Sequence, residues 1–304
     1  MRRKLLTRDN ADHKPTVRLT DRDLAIIKSV YEHRALTTPQ IQRMHFPAGQ
    51  EGSERGRLVH CQHRLKLLYH NGYLTRDERP TKLSEGREAL VYFLDTLGAK
   101  LLASYYKVDI SELDWRPRDN TAGANHLFID HLLHTNDVRI ALTRAAQVDG
   151  WDVTRYVDDR DLRRKEMREY VQLPGESERI AIVPDGFFTL NSDQGTFHHF
   201  LEVDLRTVVG LSSKTGRRDW SRKVHAYLEY FHGGRYTARY SAKSFRVLTV
   251  TTGATRLRNL LEITEDAGGK SLFWFTTLDA VAALQSLSEP IWTVAGREGL
   301  LHLV

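Results

Sequence analysis

The spacing of apolar residues near the N-terminus predicts three consecutive helices. The first begins after Thr20, a good N-cap, and the second is a short helix that begins near Thr38 and ends near Pro47. The third covers residues 53–71, and its predicted core positions, Leu58, Cys61, Leu65 and Leu68, recur at intervals of three and four. Its remaining positions are mostly basic or polar, so one face is expected to pack while the others meet solvent or a partner.

A predicted hairpin follows the third helix. Residues 73–76 and 89–94 are predicted to be its two strands, and a polar, charged segment, 77–88, separates them. Another helix begins at Thr96. This order predicts a winged helix-turn-helix over residues 17–107, with the third helix in the major groove of DNA. The candidate DNA-binding residues are Arg55, Arg57, His60, His63, Arg64, Lys66, Arg76, Arg79, Lys82 and Arg87. A winged helix that contacts protein is the alternative.

The rest of the chain predicts a linker and a second domain. Residues 108–122 are polar and are interrupted by Pro117, which predicts a linker. Residues 123–304 mix helical and strand patterns and predict an α/β domain, so the whole chain is expected to be α+β. The central strands of this domain are predicted at 180–190, 197–205 and 245–252.

Charge separates the two predicted domains. The chain carries 45 Lys and Arg and 39 Asp and Glu, a net charge of +6. Residues 1–116 hold 21 basic and 15 acidic side chains, so the entire excess lies in the first segment. A basic domain joined to a neutral one favours a polyanionic partner for the first, and a solvated surface is the alternative.

Two further features concern the compartment. Cys61 is the only cysteine, which excludes an intrachain disulfide, and no apolar run has the length of a membrane span. We therefore expect a cytoplasmic protein without a membrane partner.

Three carboxylates are predicted to converge in the second domain. Glu202 and Asp204 share one face of their strand because side chains alternate. A turn near residues 193–194 brings Asp185 opposite residues 201–203. Converging carboxylates repel each other unless a cation lies between them, and oxygen ligands suit Mg²⁺ or Mn²⁺. The alternative is that Glu202 and Asp204 form the solvated face of an edge strand.

Lys223 is the candidate catalytic cation. It lies four residues before Tyr227 on a predicted helix, so the two side chains share a helical face. A cation there would neutralise a scissile phosphate or orient water, whereas a surface lysine is the alternative. Together Asp185, Glu202, Asp204 and Lys223 form the predicted catalytic set.

These motifs resemble the replication-relaxation family, which includes plasmid mobilisation relaxases with a restriction-endonuclease-like core. The resemblance rests on residues 19–23, 183–186 (Val-Pro-Asp-Gly), 200–205 (Phe-Leu-Glu-Val-Asp-Leu), Lys223 and Tyr227. It implies that Asp185, Glu202 and Asp204 are metal ligands. Asp204 stands where the common nuclease pattern has lysine, and Lys223 is the candidate substitute.

Two functions remain open at this stage. One is a metal-dependent DNA endonuclease that nicks or processes DNA for mobilisation or replication of a plasmid or mobile element. The other is a non-catalytic winged-helix regulator or replication accessory protein on a degenerate nuclease scaffold. Both predict double-stranded DNA as partner, at an origin or operator site, and leave a homodimer open.

Overall fold

The computed structural model describes residues 15–48, 53–78, 89–117, 126–205 and 213–304. Helices make up 46% and strands 23% of the described residues, which confirms a mixed fold of helices and sheets. The chain divides into two compact units, Met1–Asn136 (unit 1) and Asp137–Val304 (unit 2). In the described part of the chain, no helix is both long and apolar enough to cross a membrane.

Unit 1 contains the helices and hairpin in the order that the sequence predicts. Its elements are α1 Asp21–Glu32, β1 Leu36–Thr37, α2 Thr38–His45, α3 Glu54–His70, β2 Leu74–Asp77, β3 Val91–Leu94 and α4 Thr96–Tyr106. The three strands form one sheet in the order β1-β3-β2, with antiparallel neighbours. The tip of the predicted hairpin, residues 79–88, lies outside the described residues.

Local sequence determines where α1 begins and how it is anchored. Thr20 and Asp23 form a reciprocal capping box at its N-terminus. Asp23 is fully buried, and its carboxylate also accepts a hydrogen bond from Arg64 Nε at 2.9 Å. A second nitrogen of Arg64 donates to the same carboxylate. Since α3 carries Arg64, this ion pair ties α3 to the start of α1.

The core of unit 1 also contains the only cysteine. Cys61 lies on the inner side of α3, where it is fully buried together with Leu65 and Leu68. Burial raises the pKa of the Cys61 thiol to about 12. The predicted core positions of this helix are thus confirmed at these three residues, whereas Leu58 is only partly buried.

His45 gives unit 1 a pH-dependent stability. Its Nε2 lies 3.0 Å from Ser29 Oγ, and burial, aided by the charge of Arg22, lowers its pKa from 6.5 to about 4. The unfolded chain binds a proton near pH 6.5 and the folded unit only near pH 4, so stability decreases as pH falls between these values. From pH 7 to pH 5 we expect a loss of up to about 2 kcal/mol, which His45→Gln removes. Urea unfolding of both proteins at the two pH values measures it, and an equal loss in the variant would contradict the assignment to His45.

The division between the units falls inside a helix. This helix, α5, spans His126–Val148, and the break lies between Asn136 and Asp137. We predicted a linker at 108–122 and a second domain from residue 123, and residues 118–125 lie outside the described residues. Asn136 Nδ2 donates to the carbonyls of His33 (3.0 Å) and Ala35 (2.8 Å), which explains why the first part of α5 belongs to unit 1.

Unit 2 is built around one large sheet. After α5 the chain forms β4 Asp152–Asp158, α6 Asp159–Leu162, β5 Glu169–Gln172, β6 Arg179–Ile182, β7 Gly186–Ser192, β8 Gly195–Asp204, α7 Ser213–His232, α8 Arg235–Tyr240, β9 Arg246–Thr251, α9 Ala254–Asp266, β10 Phe273–Thr277, α10 Leu278–Ala283, β11 Trp292–Val294 and β12 Leu300–Leu301. Seven strands pair in the order β12-β11-β10-β9-β8-β7-β4. The neighbours β8, β9 and β10 are parallel, whereas β7 is antiparallel to β8.

The sheet is covered on both faces. One face packs an aromatic cluster against α7, α8 and α9, in which the side chains of Phe200, Tyr227 and Phe245 are buried. The other face packs Leu201, Val203 and Trp292 against α5 and α10. Because alternate residues of β8 belong to opposite clusters, β8 is buried on both sides.

The strand predicted at 180–190 is wrong as a single element. The structure has β6 and β7 in its place, separated by residues 183–185. Pro184 lies in this gap, and its missing N–H cannot donate to a ladder. β6 pairs with β5 in a separate two-stranded sheet, and β5 lies in a charged segment for which the sequence pattern gave no prediction.

Candidate functional site

Asp185 lies against the C-terminal half of β8. The hairpin pairs Ser192 with Gly195, which confirms the turn predicted at 193–194. Just before β7, the backbone N–H of Asp185 donates to Leu201 O at 2.9 Å. Its carboxylate Oδ2 accepts the Val203 N–H at 2.7 Å. Asp185 therefore lies beside residues 201–203, as the sequence predicts.

Glu202 is a buried carboxylate with two protein donors. Its side chain is 4% exposed and points toward α7. Lys223 Nζ donates to Oε2 at 2.7 Å, and Tyr227 OH donates to Oε1 at 2.6 Å. β8 has a neighbour on each side, β7 and β9, so the alternative of an edge strand with a solvated face is wrong for Glu202.

The charged groups around Glu202 shift one another's pKa values. Burial raises the pKa of Glu202, and the nearby Asp185 carboxylate raises it further, against the opposing effect of Lys223. Burial acts to lower the pKa of Lys223, but Glu202, Asp185 and Asp204 outweigh it and the pKa is raised. Lys223 is consequently an ammonium ion at neutral pH, and its side chain keeps 43% exposure.

Asp204 shares a face with Glu202 but has a different partner. Its Oδ2 accepts a hydrogen bond from Arg256 Nη2 of α9 at 2.6 Å. Among the described residues, no group of three or more His, Cys, Asp and Glu side chains is arranged to hold a metal ion. A third ligand beside Asp185 and Glu202 thus stays a prediction. Sequence reasoning missed Arg256, whose position depends on how α9 packs beside the end of β8.

A cavity gives access to Glu202 and Lys223. It has a volume of about 250 Å³ and is lined by Val183, Glu202, Asp219, Arg222, Lys223 and Tyr227 among others. Arg222 forms an ion pair with Glu176 at 2.5 Å, which links α7 to the segment between β5 and β6. The cavity is therefore lined by two carboxylates, Glu202 and Asp219, and two cationic side chains, Arg222 and Lys223.

The donor set fits a hard divalent cation. Mg²⁺ prefers oxygen ligands, keeps several waters and is typically held by one or two carboxylates plus substrate phosphates. Asp185 and Glu202 supply two carboxylates close enough for one to raise the pKa of the other. They fit such an ion in chemistry, while Lys223 and Tyr227 each donate to one oxygen of Glu202.

The candidate DNA-binding residues of α3 differ in exposure. Arg55, His60, His63 and Lys66 are exposed, and Arg57 is partly buried. Arg64, with a side chain only 17% exposed, pairs with Asp23 instead of extending into solvent. Sequence reasoning missed Val59, an apolar side chain 57% exposed on the same helix.

In the hairpin only one of the predicted contacts can be described. Arg76 on β2 stacks on the ring of Tyr69, with 4.0 Å between the guanidinium carbon and the ring centroid. Arg79, Lys82 and Arg87 lie outside the described residues.

Solved structures with detectable likeness include restriction endonuclease FokI. The structure of FokI bound to DNA is 12% identical, with 88% of this chain and 45% of that chain covered and a TM-score of 0.26. A second FokI structure is 13% identical, with 88% and 44% covered and a TM-score of 0.28. The chain thus spans less than half the length of either protein.

No curated protein matches the chain. The family model described as replication-relaxation matches residues 27–244, from the middle of α1 to beyond α8, and so includes the residues around Glu202. The chain belongs to the replication-relaxation family.

Proposed function

We propose that this chain is a DNA-processing protein in which unit 1 binds double-stranded DNA and unit 2 cleaves it with a divalent metal ion. The observation that carries the proposal is the buried Glu202 carboxylate, held beside Asp185 and in contact with Lys223. A buried charge of this kind is costly and is common at functional sites. Its role would be to nick or process DNA for replication or mobilisation of a plasmid or mobile element.

The exposed side of α3 supports DNA binding by unit 1. Arg55, Val59, His63 and Lys66 recur at intervals of three and four and therefore lie along one side of the helix. Cationic side chains contact phosphates or guanine edges, and an apolar side chain between them suits the thymine methyl group. We propose that α3 is the recognition helix of a winged helix.

The residues of unit 2 would have different roles in the cleavage of a phosphodiester bond. Asp185 and Glu202 would hold the metal ion, which activates water and stabilises negative charge on the phosphoryl group. Lys223 stays protonated and adds positive charge beside the scissile phosphate. Tyr227 orients Glu202 through its hydroxyl. Asp204 is held by Arg256 and is proposed as a further ligand only if that pair opens.

One observation favours the non-catalytic alternative. Both oxygens of Glu202 accept hydrogen bonds from the protein, and Asp204 is paired with Arg256. A regulator could retain this network for stability alone. In that case unit 1 would bind DNA and unit 2 would leave it intact with every metal ion.

Nicking of supercoiled plasmid tests the proposal. We expect the wild-type chain to produce relaxed circles with Mg²⁺ or Mn²⁺ and none with a chelator. Asp185→Asn should reduce the rate at least ~100-fold, because it removes a charged metal ligand. The matched control is Asp193→Asn, which alters an exposed aspartate in the turn of the same hairpin. DNA that is bound and never nicked would establish the regulator instead.

DNA binding by α3 is tested separately. Arg55→Gln/Lys66→Gln should weaken binding to duplex DNA by roughly tenfold or more and should lower the slope of log K against log salt by about 2. Lys100→Gln/Lys165→Gln changes the charge equally at exposed positions outside α3 and should leave both quantities close to wild type. Fluorescence anisotropy over a salt series measures them. Equal losses in the two double variants would reject α3 as the contact surface.

A further inference from the structure

A second and larger cavity lies near the N-terminal ends of β9 and β10 in unit 2. Its volume is about 730 Å³. It is bounded by the C-terminal end of α7, the segments that lead into β9 and β10, and the last residues of β12 and beyond. Arg246 begins β9, whereas Thr249 of the same strand pairs with Glu202. Arg246 therefore lies about 10 Å along the strand from the residue that pairs with Glu202.

The lining of this cavity is basic. Arg246, Lys270 and Arg297 contribute to it, together with His232 and His302, and the described lining contains no Asp or Glu. Within the described ranges, none of the three permanent cations forms an ion pair with a carboxylate. Elsewhere in unit 2, arginines such as Arg239 and Arg256 do have acidic partners. Among the described residues, positive charge therefore gathers here without an Asp or Glu partner.

Arg246 is held in place by its neighbours. Its guanidinium carbon lies 4.5 Å from the centroid of the Trp274 ring and 4.7 Å from that of Phe197. Its Nη1 donates to the carbonyl of Leu303. Burial lowers the pKa of Arg246, and the charge of Arg297 lowers it further, so the two guanidinium groups repel each other across the cavity.

We propose that this cavity binds the phosphate group of a nucleotide or of a nucleic acid strand. One guanidinium group can donate two parallel hydrogen bonds to two oxygens of a phosphate, and an ammonium ion adds a compact positive charge. An anion would relieve the repulsion between Arg246 and Arg297. The volume is that of a site for a small organic ligand, larger than a lone ion needs. The inference stands apart from the proposed nuclease function, since it uses none of the residues around Glu202.

The Trp274 indole N–H is a reporter inside this cavity. It donates to Ser271 O at 2.9 Å, and both residues line the cavity. We would label tryptophan with ¹⁵N in the full chain, assign the signal with Trp274→Phe, and titrate inorganic phosphate, dAMP and a short oligothymidylate. The test variant is Lys270→Gln/Arg297→Gln, which changes two exposed side chains and should therefore fold. The control is Lys165→Gln, an exposed lysine outside the cavity.

A saturable shift of the Trp274 signal in the wild type and in Lys165→Gln, weakened at least ~10-fold in the double variant, supports the site. Tighter binding of dAMP than of the other probes would identify a nucleotide, and tighter binding of the oligonucleotide would identify a strand. Inorganic phosphate as the tightest ligand would identify the phosphate group alone. No saturable shift with any probe, or equal affinity in the double variant, would overturn the proposal.

Discussion

Glu202→Gln is expected to abolish metal-dependent nicking while leaving DNA binding intact. Glutamine keeps the shape of the side chain and an oxygen for the Tyr227 hydroxyl, which lies 2.6 Å from Oε1. It removes the negative charge that would bind the metal ion and that pairs with Lys223. We expect the nicking rate to fall by ~10²–10³ or more, the range typical of the loss of a central electrostatic group.

The measurement is a plasmid nicking time course at saturating Mg²⁺, with anisotropy on the same DNA to report binding. Glu262→Gln is the matched control, since it makes the same chemical change at an exposed position of α9. Tyr227→Phe keeps the charge of Glu202 and removes only one hydrogen bond, so its loss should be smaller than that of Glu202→Gln. Nicking by Glu202→Gln at the wild-type rate would show that Glu202 has a purely structural role.

Arg64→Ala is expected to destabilise unit 1 by about 3 kcal/mol, the cost typical of removing one partner from a buried ion pair. Asp23 is fully buried and would keep its hydrogen bonds from Thr20, the N–H at 2.8 Å and the hydroxyl at 2.7 Å, but would lose its cation. The change would also release α3 from the start of α1. A loss of DNA binding in this variant would then follow from unfolding of unit 1.

Hydrogen exchange of the α1 backbone amides in the full chain measures this effect. Arg55→Ala is the control, because Arg55 is exposed on the same helix, and it should change the stability by less than about 0.5 kcal/mol. If α1 exchanges at the same rate in both variants, the Arg64–Asp23 pair does not stabilise the unit.

The features that sequence predicted well depend on residues close together in the chain. The turn at 193–194 and the alternation along β8 were enough to bring Asp185 beside residues 201–203. The spacing of Cys61, Leu65 and Leu68 identified the buried side of α3. In each case a local period, two or 3.6 residues, determines which side chains share a face.

The features that sequence did not predict depend on packing between distant elements. Arg64 has the same local pattern as the exposed cations of α3, and only the position of α1 makes it a partner of Asp23. Arg256 meets Asp204 because α9 packs beside the end of β8, 52 residues away in the chain. The sequence does not distinguish a charged side chain that pairs with a neighbouring element from one that faces solvent. The exposure of each cation on α3 could therefore not be predicted from periodicity.

Because Cys61 is buried, the reactivity of its thiol reports the local opening of unit 1. The thiol is inaccessible in folded unit 1, and its high pKa keeps it protonated and unreactive at neutral pH. Alkylating reagents can therefore modify it only when α3 separates from the core. Because there is no other cysteine, every modified molecule records an opening of unit 1, and unfolding of unit 2 adds no background.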